Sequence, residues 1–199
     1  MRPDLGIVAD MVPRGSRVLD LGCGDGALLD DLIGRRGCSG QGVEVSPEAF
    51  HACLARGIPV VAADIDQGLP DFADDSFDVV VLTQTLQTVH RPALVLREMM
   101  RVAPVGIVSF PNYGHIGLRA RLLVGGRVPT SPLVPEPWFE TPNIHPCTLR
   151  DFEIFLGAQG VRPTERVLLD RWGGRARPWV ARRPNLLAAA AAYLLRRGR

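Results

Sequence analysis

Val18-Leu19-Asp20-Leu21-Gly22-Cys23-Gly24-Asp25-Gly26 is the stretch whose reading decides the fold. An apolar strand ends at Leu21 and breaks into a turn with glycine at every second position. Ala27 to Arg36 then continues as a helix. Glycines at alternate positions let backbone approach a ligand where a side chain would collide with it. The helix beyond presents unpaired N–H groups and a partial positive charge to the same place.

Two ligand classes compete for such a turn. Gly22, Gly24 and Ala27 satisfy the spacing G-x-G-x-x-G/A of a dinucleotide site. Asp20 just before the turn and Asp25 inside it argue the other way. A pyrophosphate beside two carboxylates would meet like charge in a partly desolvated cleft. S-adenosylmethionine carries a sulfonium and an ammonium group, so acids suit it. The turn, including Cys23 and Gly26, is therefore expected to hold S-adenosylmethionine or S-adenosylhomocysteine.

Three further strand ends follow in register. Ser39 to Ser46 reads as a second strand whose Glu44 and Val45 fall at its end, where an acid can accept from both ribose hydroxyls. After a helix from Pro47 to Arg56, the strand Val60 to Ala63 runs into Asp64 and Ile65, which places a carboxylate for an adenine amino group. Ser76 to Thr83 is apolar throughout, as in strands buried on both faces. It leaves Thr83, Gln84 and Thr85 at the carboxyl end, where open α/β sheets bind ligands.

The alternation continues with a helix from Pro92 to Val102 and a fifth strand from Val105 to Phe110. This layout predicts an α/β fold of the Rossmann-like kind, a mostly parallel twisted sheet flanked by helices. Residues 111–146 then hold seven prolines and the Gly125-Gly126 pair, so they are expected to form a lid-like insert. Trp138 and Phe139 favour an ordered lid, because disordered segments are poor in aromatics. Asn112, Trp138 and Asn143 are assigned to it as lid or partner-facing residues. A helix from Leu149 to Gly157 and a strand from Val161 to Leu169 close the sheet. The division drawn is a domain over residues 1–170 and an arginine-rich tail over 171–199. Alanine and leucine give the tail helical propensity from Asn185 to Arg197.

The stretch from Arg17 to Pro111 resembles the class I S-adenosylmethionine-dependent methyltransferases. Its flanks resemble one family more closely, that of the methionine-biosynthesis protein MetW. They are Met1-Arg2-Pro3-Asp4, the run Ser109-Phe110-Pro111-Asn112-Tyr113-Gly114-His115, and Thr141-Pro142-Asn143-Ile144-His145 with Cys147-Thr148-Leu149-Arg150-Asp151-Phe152. That likeness extends through about Val167. It implies that Asp20, Gly22, Gly24 and Gly26 form the cofactor turn, with Glu44 at the ribose and Asp64 at the adenine. It also implies a methyltransferase-like protein working with homoserine O-acyltransferase in making methionine.

Composition sets the remaining bounds. At 199 residues and 46% hydrophobic content the chain can bury one sizeable core. No apolar run reaches membrane-spanning length and no basic-then-apolar leader opens the chain, so a cytoplasmic protein is expected. Cys23, Cys38, Cys53 and Cys147 lack C-x-x-C pairing, as for reduced thiols. The H-x-C pairs His51/Cys53 and His145/Cys147 do not match a standard zinc pattern, so no metal site is assigned. All 23 basic residues are arginine, which excludes a Schiff-base or phosphate-loop lysine. Eight arginines and no acid follow Asp170, against 15 arginines and 21 acids up to that point. Such asymmetry fits docking on an acidic protein, and no recognised motif makes nucleic acid the favoured partner. The tail is thus expected to be dispensable for cofactor binding.

Catalytic equipment is sparse. His90, His115 and His145 are the candidates for a proton shuttle near the cofactor mouth, each with an alternative role as a loop anchor. Three functions stay open at this point. The first is a cofactor-binding activating or regulatory partner of homoserine O-acyltransferase, and the second an active S-adenosylmethionine-dependent small-molecule methyltransferase. The third, a nucleic-acid-binding module using the arginine-rich end, ranks last because no recognised motif accompanies the charge.

Overall fold

The computed structural model describes residues 2–198, so Met1 of the first flank and Arg199 of the tail lie outside the described residues. Seven strands form one sheet in the order β3-β2-β1-β4-β5-β7-β6. Its parallel half consists of β1 (Arg17–Leu21), β2 (Ser39–Glu44), β3 (Val60–Ala62), β4 (Val79–Thr83) and β5 (Val105–Pro111). The helices between them are α2 (Ala27–Arg36), α3 (Pro47–Ala55) and α4 (Pro92–Val102). Strand order reverses between β1 and β4, and the carboxyl ends of these two strands flank the crevice where such sheets take ligands. Each of these elements lies within three residues of its sequence expectation, because apolar runs punctuated by glycine and proline report parallel strands directly.

Two helices escape the sequence reading. α1 (Pro3–Met11) precedes the first strand and buries Leu5, Ile7, Val8 and Met11. α5 (Ile116–Gly125) lies inside the region assigned wholly to an irregular insert. Its sequence, Ile116-Gly117-Leu118-Arg119-Ala120-Arg121-Leu122-Leu123, buries only Leu118, so no apolar stripe announces it.

The larger correction concerns the end of the chain. Helical propensity fails there: only Pro184–Leu187 makes a single helical turn, α7, and Ala190–Arg196 is a strand, β7. This strand lies antiparallel between β5 and β6 (Arg162–Leu169), joining α6 (Leu149–Ala158) and its strand to the parallel half. Ala191, Tyr193 and Leu195 pack into one layer of the core, and Ala190 and Ala192 into the other. Both faces are apolar, so the period of two is invisible in the sequence, and small alanines fit where layers close on either side. The residues beyond 170 are therefore not a separate helical tail. Nor do their arginines share one free surface. Arg197 donates to the carbonyls of Met100 and Arg101 and pairs with Asp75 at 2.8 Å.

Asn112, assigned to the lid, is instead an internal tie. It is fully buried, its Nδ2 donates to the carbonyls of Asn185 (3.0 Å) and Ala188 (2.7 Å), and its Oδ1 accepts from Gly114 N and Leu149 N. One side chain thus joins the end of β5, the start of α6 and the approach to β7. Asn112→Ala leaves four backbone groups without that partner, three of them in buried bonds, and each buried group costs about 1 kcal/mol or more. A loss of about 3–5 kcal/mol is expected, read as a fall in Tm of roughly 6–20 °C. A thermal transition within 2 °C of the parent would contradict the role given to this side chain.

Candidate functional site

The glycine turn is held by β2 as much as by its own strand. Gly22 N and Cys23 N both donate to the carbonyl of Val43, and Gly24 N donates to Glu44 Oε2 at 2.8 Å. Gly22, Gly24 and Gly26 all have positive φ. A Cβ on Gly22 would lie 2.7 Å from the side chain of Thr85, whereas one on Gly24 would meet no protein atom within 4 Å. Gly24 therefore faces open space. Below the turn, Cys23 Sγ lies where a side chain on Gly42 of β2 would stand, at 2.4 Å from its Cβ position. Glycine in the middle of that strand is thus a packing requirement, which the sequence shows only as a weak strand.

The open space is a cavity of about 910 Å³ at the carboxyl ends of β1 and β4. Of the predicted cofactor residues, Asp20, Gly22, Cys23, Gly24, Asp25, Thr83 and Gln84 line it. Asp20 is 1% exposed and its Oδ1 has no hydrogen-bond partner. Burial, reinforced by the charge of Glu44, pushes its pKa up to about 7, against an opposing pull from Arg2. Asp25 does not reinforce it. Its Oδ2 pairs with Arg56 at 2.6 Å and its Oδ1 accepts from Ala27 N, so that carboxylate is already spent on the helix start and on α3.

Gly26, Glu44, Val45, Asp64 and Ile65 stand outside the cavity lining; a Cβ on Gly26 would lie 3.0 Å from Cys53 Sγ and 3.1 Å from Ile58, so that glycine answers to packing. Glu44 is buried and accepts from three backbone groups, Gly24 N, Val45 N and Ser46 N, at 2.8–2.9 Å. It shapes the turn; a carboxylate with about four acceptor positions keeps little capacity beyond that. Val45 is exposed and Ile65 is in the core. Asp64 is exposed and caps the short 3-10 turn Ile65–Gln67 by accepting from Asp66 N.

None of the three candidate histidines lines the cavity. His90 and His145 are exposed; their backbone nitrogens donate to Asp66 Oδ2 and to the Gln87 carbonyl. His115 caps α5, accepting from Gly117 N at Nδ1, and burial lowers its pKa. A ring that is already an acceptor and held neutral is a loop anchor. Trp138 is 70% exposed and does not line the cavity, whereas Asn143 does.

Sequence reasoning missed the walls. Arg2 and Asp4 of the first turn of the chain line the cavity, as do Gln87, Pro132 and Trp172. Gln84, at φ +53°, donates through Nε2 to buried Asp4 Oδ2 at 2.7 Å, clipping α1 across the end of β4. No local pattern signals a contact between residues 80 apart in the chain. Among the described residues no cluster of three His, Cys, Asp or Glu side chains could hold a metal ion.

Solved structures share this architecture. An S-adenosylmethionine-dependent methyltransferase from Thermotoga maritima, described as a possible histamine N-methyltransferase, superposes with a TM-score of 0.70 at 17% identity, over 98% of this chain and 88% of that one. An S-adenosylmethionine-dependent methyltransferase from Mesorhizobium loti does so with a TM-score of 0.66 at 18% identity, over 98% of each chain. The fold is thus that of the Rossmann-like S-adenosylmethionine-dependent methyltransferases, the class expected from the glycine turn. Within that class the chain belongs to the MetW family, whose model, Methionine biosynthesis protein MetW, matches residues 2–195. The bifunctional methionine biosynthesis protein MetXA/MetW of Rhodopirellula baltica is 40% identical over 172 residues, 82% of this chain and 28% of that protein. A ubiquinone biosynthesis O-methyltransferase of Neisseria meningitidis is 30% identical over 125 residues, 56% of this chain. The chain spans about a quarter of the first relative and about half of the second.

Proposed function

We propose that the cavity binds S-adenosylmethionine, and that the protein acts with homoserine O-acyltransferase as an activating or regulatory partner in methionine biosynthesis. Asp20 carries the first half of this reading. A buried carboxylate oxygen without a donor, at the end of β1 beside a turn open at Gly24, fits a ligand bearing an ammonium or sulfonium cation. Gly22 and Gly24 would admit its backbone-hugging part, and Thr83 and Gln84 would border it. The cofactor supplies an electrophilic methyl group when bound; the chain's own part is to bind, orient and exclude water. Glu44 would act by holding the turn in shape, and Asp64 would meet the adenine end from outside the cavity.

The partner role rests on membership of the family and on a relative whose name joins MetXA to MetW. No base stands in the cavity wall among the histidines, which supports a binding role. Feedback is chemically reasonable, because S-adenosylmethionine lies downstream of methionine. Assay of the acyltransferase with and without this protein, and with S-adenosylmethionine added, tests it. A change in rate with co-purification is expected; an unchanged rate and separate elution would dispose of it. The alternative, methylation of a small molecule, is favoured by one observation. The cavity runs on past the turn to Pro132 and Trp172, giving room for a second molecule. Labelled methyl appearing in a product of cell extract would support that reading.

A pH dependence follows from Asp20. Its raised pKa means that the carboxyl is neutral below about pH 7 and charged above it. A cationic ligand prefers the charged form, so S-adenosylhomocysteine is expected to bind about tenfold more tightly at pH 8 than at pH 6. Asp20→Asn should flatten that profile in calorimetry. The same shift makes the fold lose stability as pH rises from about 4 to 7, since the unfolded carboxylate ionises first.

A further inference from the structure

Apolar surface is concentrated on the insert. Of thirteen exposed large apolar side chains among the described residues, eight lie between residues 116 and 144, so one segment accounts for most of it. Its centre is α5. A helix of this length owes its stability to packing more than to propensity, yet α5 buries only Leu118. An α-helix turns by roughly 100° per residue, so Ile116, Ala120, Leu123 and Val124 share one arc of about 100° on the side opposite Leu118. All four are exposed, Leu123 and Val124 at 87% each. The apolar stripe of this helix faces solvent.

The borders of the stripe are cationic. By the same rotation Arg119 falls on one side of it and Arg121 on the other. Arg119 Nε donates to the Gly114 carbonyl at 2.6 Å, and Arg121 Nη1 donates to the Thr130 carbonyl. Neutral acceptors thus hold both guanidinium groups in place. Neither they nor Arg127 form an ion pair among the described residues. Residues 112–135 contain these three arginines and no acid.

Three occupants compete for such a face. A second copy related by a twofold axis would bring the arginine borders of one α5 against those of the other, like charge against like. A bilayer gains in proportion to the apolar area it buries, and three large side chains over two turns offer it little. An apolar groove with an acidic rim on a partner protein matches both the stripe and its borders. Helices recognise such grooves through anchors at i, i+4 and i+7, the spacing of Ile116, Ala120 and Leu123.

We infer that the outward face of α5 is the docking surface for the partner protein, with Leu123 and Val124 as its apolar anchors and Arg119 and Arg121 facing acids on the rim of the partner's groove. This rests on the reading that homoserine O-acyltransferase is that partner. Arg121 also ties α5 to Thr130, shortly before Pro132 and Leu133 of the cavity wall. A docked partner therefore touches the segment that borders the proposed cofactor site.

The test uses the full chain and purified homoserine O-acyltransferase of the same organism, with affinity read by calorimetry and complex formation by size-exclusion chromatography. Leu123→Glu and Val124→Glu are each expected to weaken binding about a hundredfold, as for a central anchor given a charge that the acidic rim repels. Binding by the parent should weaken as salt rises from about 50 to about 500 mM. Ile154→Glu is the control, since Ile154 is 64% exposed on α6, and its affinity should stay near that of the parent. Both α5 side chains stand in solvent, so Tm and S-adenosylhomocysteine affinity should match the parent; should one variant fail to fold, the other decides. Parent-like binding by the α5 variants, an equal loss in Ile154→Glu, or indifference to salt would overturn the proposal. If acyltransferase binding persists in the variants while self-association or sedimentation with phosphatidylglycerol vesicles is lost, the face belongs to a second copy or to a lipid surface and the proposal falls. A parent chain that does not bind the acyltransferase would instead remove the partner reading, and the docking surface with it.

Discussion

Gly24→Val is expected to abolish binding of S-adenosylhomocysteine while leaving the sheet in place. An added Cβ meets no protein atom within 4 Å, so the fold does not resist the first carbon of the side chain. It projects instead into the cavity wall where the ligand backbone would pass. A second cost comes from φ +57°, a conformation that β-branched residues rarely adopt. Relaxing it would rotate Gly24 N away from Glu44 Oε2 and loosen the turn as well. Calorimetry should show at least a hundredfold loss of affinity, equivalent to about 2.7 kcal/mol. Gly37→Val provides the control. Gly37 also has positive φ and open surroundings, but it ends α2 away from the cavity, so it carries the backbone cost alone. Parent-like affinity in Gly24→Val would remove the turn from the site.

A chain ending at Asp170 is expected not to fold. It lacks β7, which pairs with β5 from Val105 to Pro111 on one side and with β6 from Arg162 to Leu169 on the other. Without it β6 has no neighbour, β5 becomes a bare apolar edge, and Phe110 loses the ring of Tyr193 stacked 5.9 Å away. Tyr193 also anchors α6, its hydroxyl donating to Glu153 Oε1 at 2.9 Å. Circular dichroism should show no cooperative thermal transition in the shortened chain. Changing exposed Arg175, Arg177, Arg182 and Arg183 together to glutamine should by contrast preserve the transition, since those side chains form no ion pair among the described residues. That pair of results separates the strand from the charge around it. If the shortened chain melts like the parent, the place of β7 between β5 and β6 is wrong.

The parallel half of the fold and the floor of the cavity were legible in the residues themselves. Alternate glycines after an apolar run state a backbone requirement within nine residues, and Val79 to Thr83 states burial by composition alone. Asp20 could be singled out because charge type before such a turn is local information. What Asp25 and Glu44 do could not, since Arg56 and the backbone of Gly24 neutralise or occupy them from other elements. The same holds for Asn112, whose four partners come from three separate segments.

The amino-acid sequence by itself thus determined the strand–turn–helix unit, the run of parallel strands and the acid that faces the cavity, because each is written in neighbours along the chain. Only the tertiary structure decided that Ala190–Arg196 is a strand and that α1 and the insert wall the cavity. It alone joined Gln87 to Ile144 and His145. Local propensity in alanine-rich segments is worth less than filling a slot between two strands whose hydrogen-bonding edges would otherwise be bare.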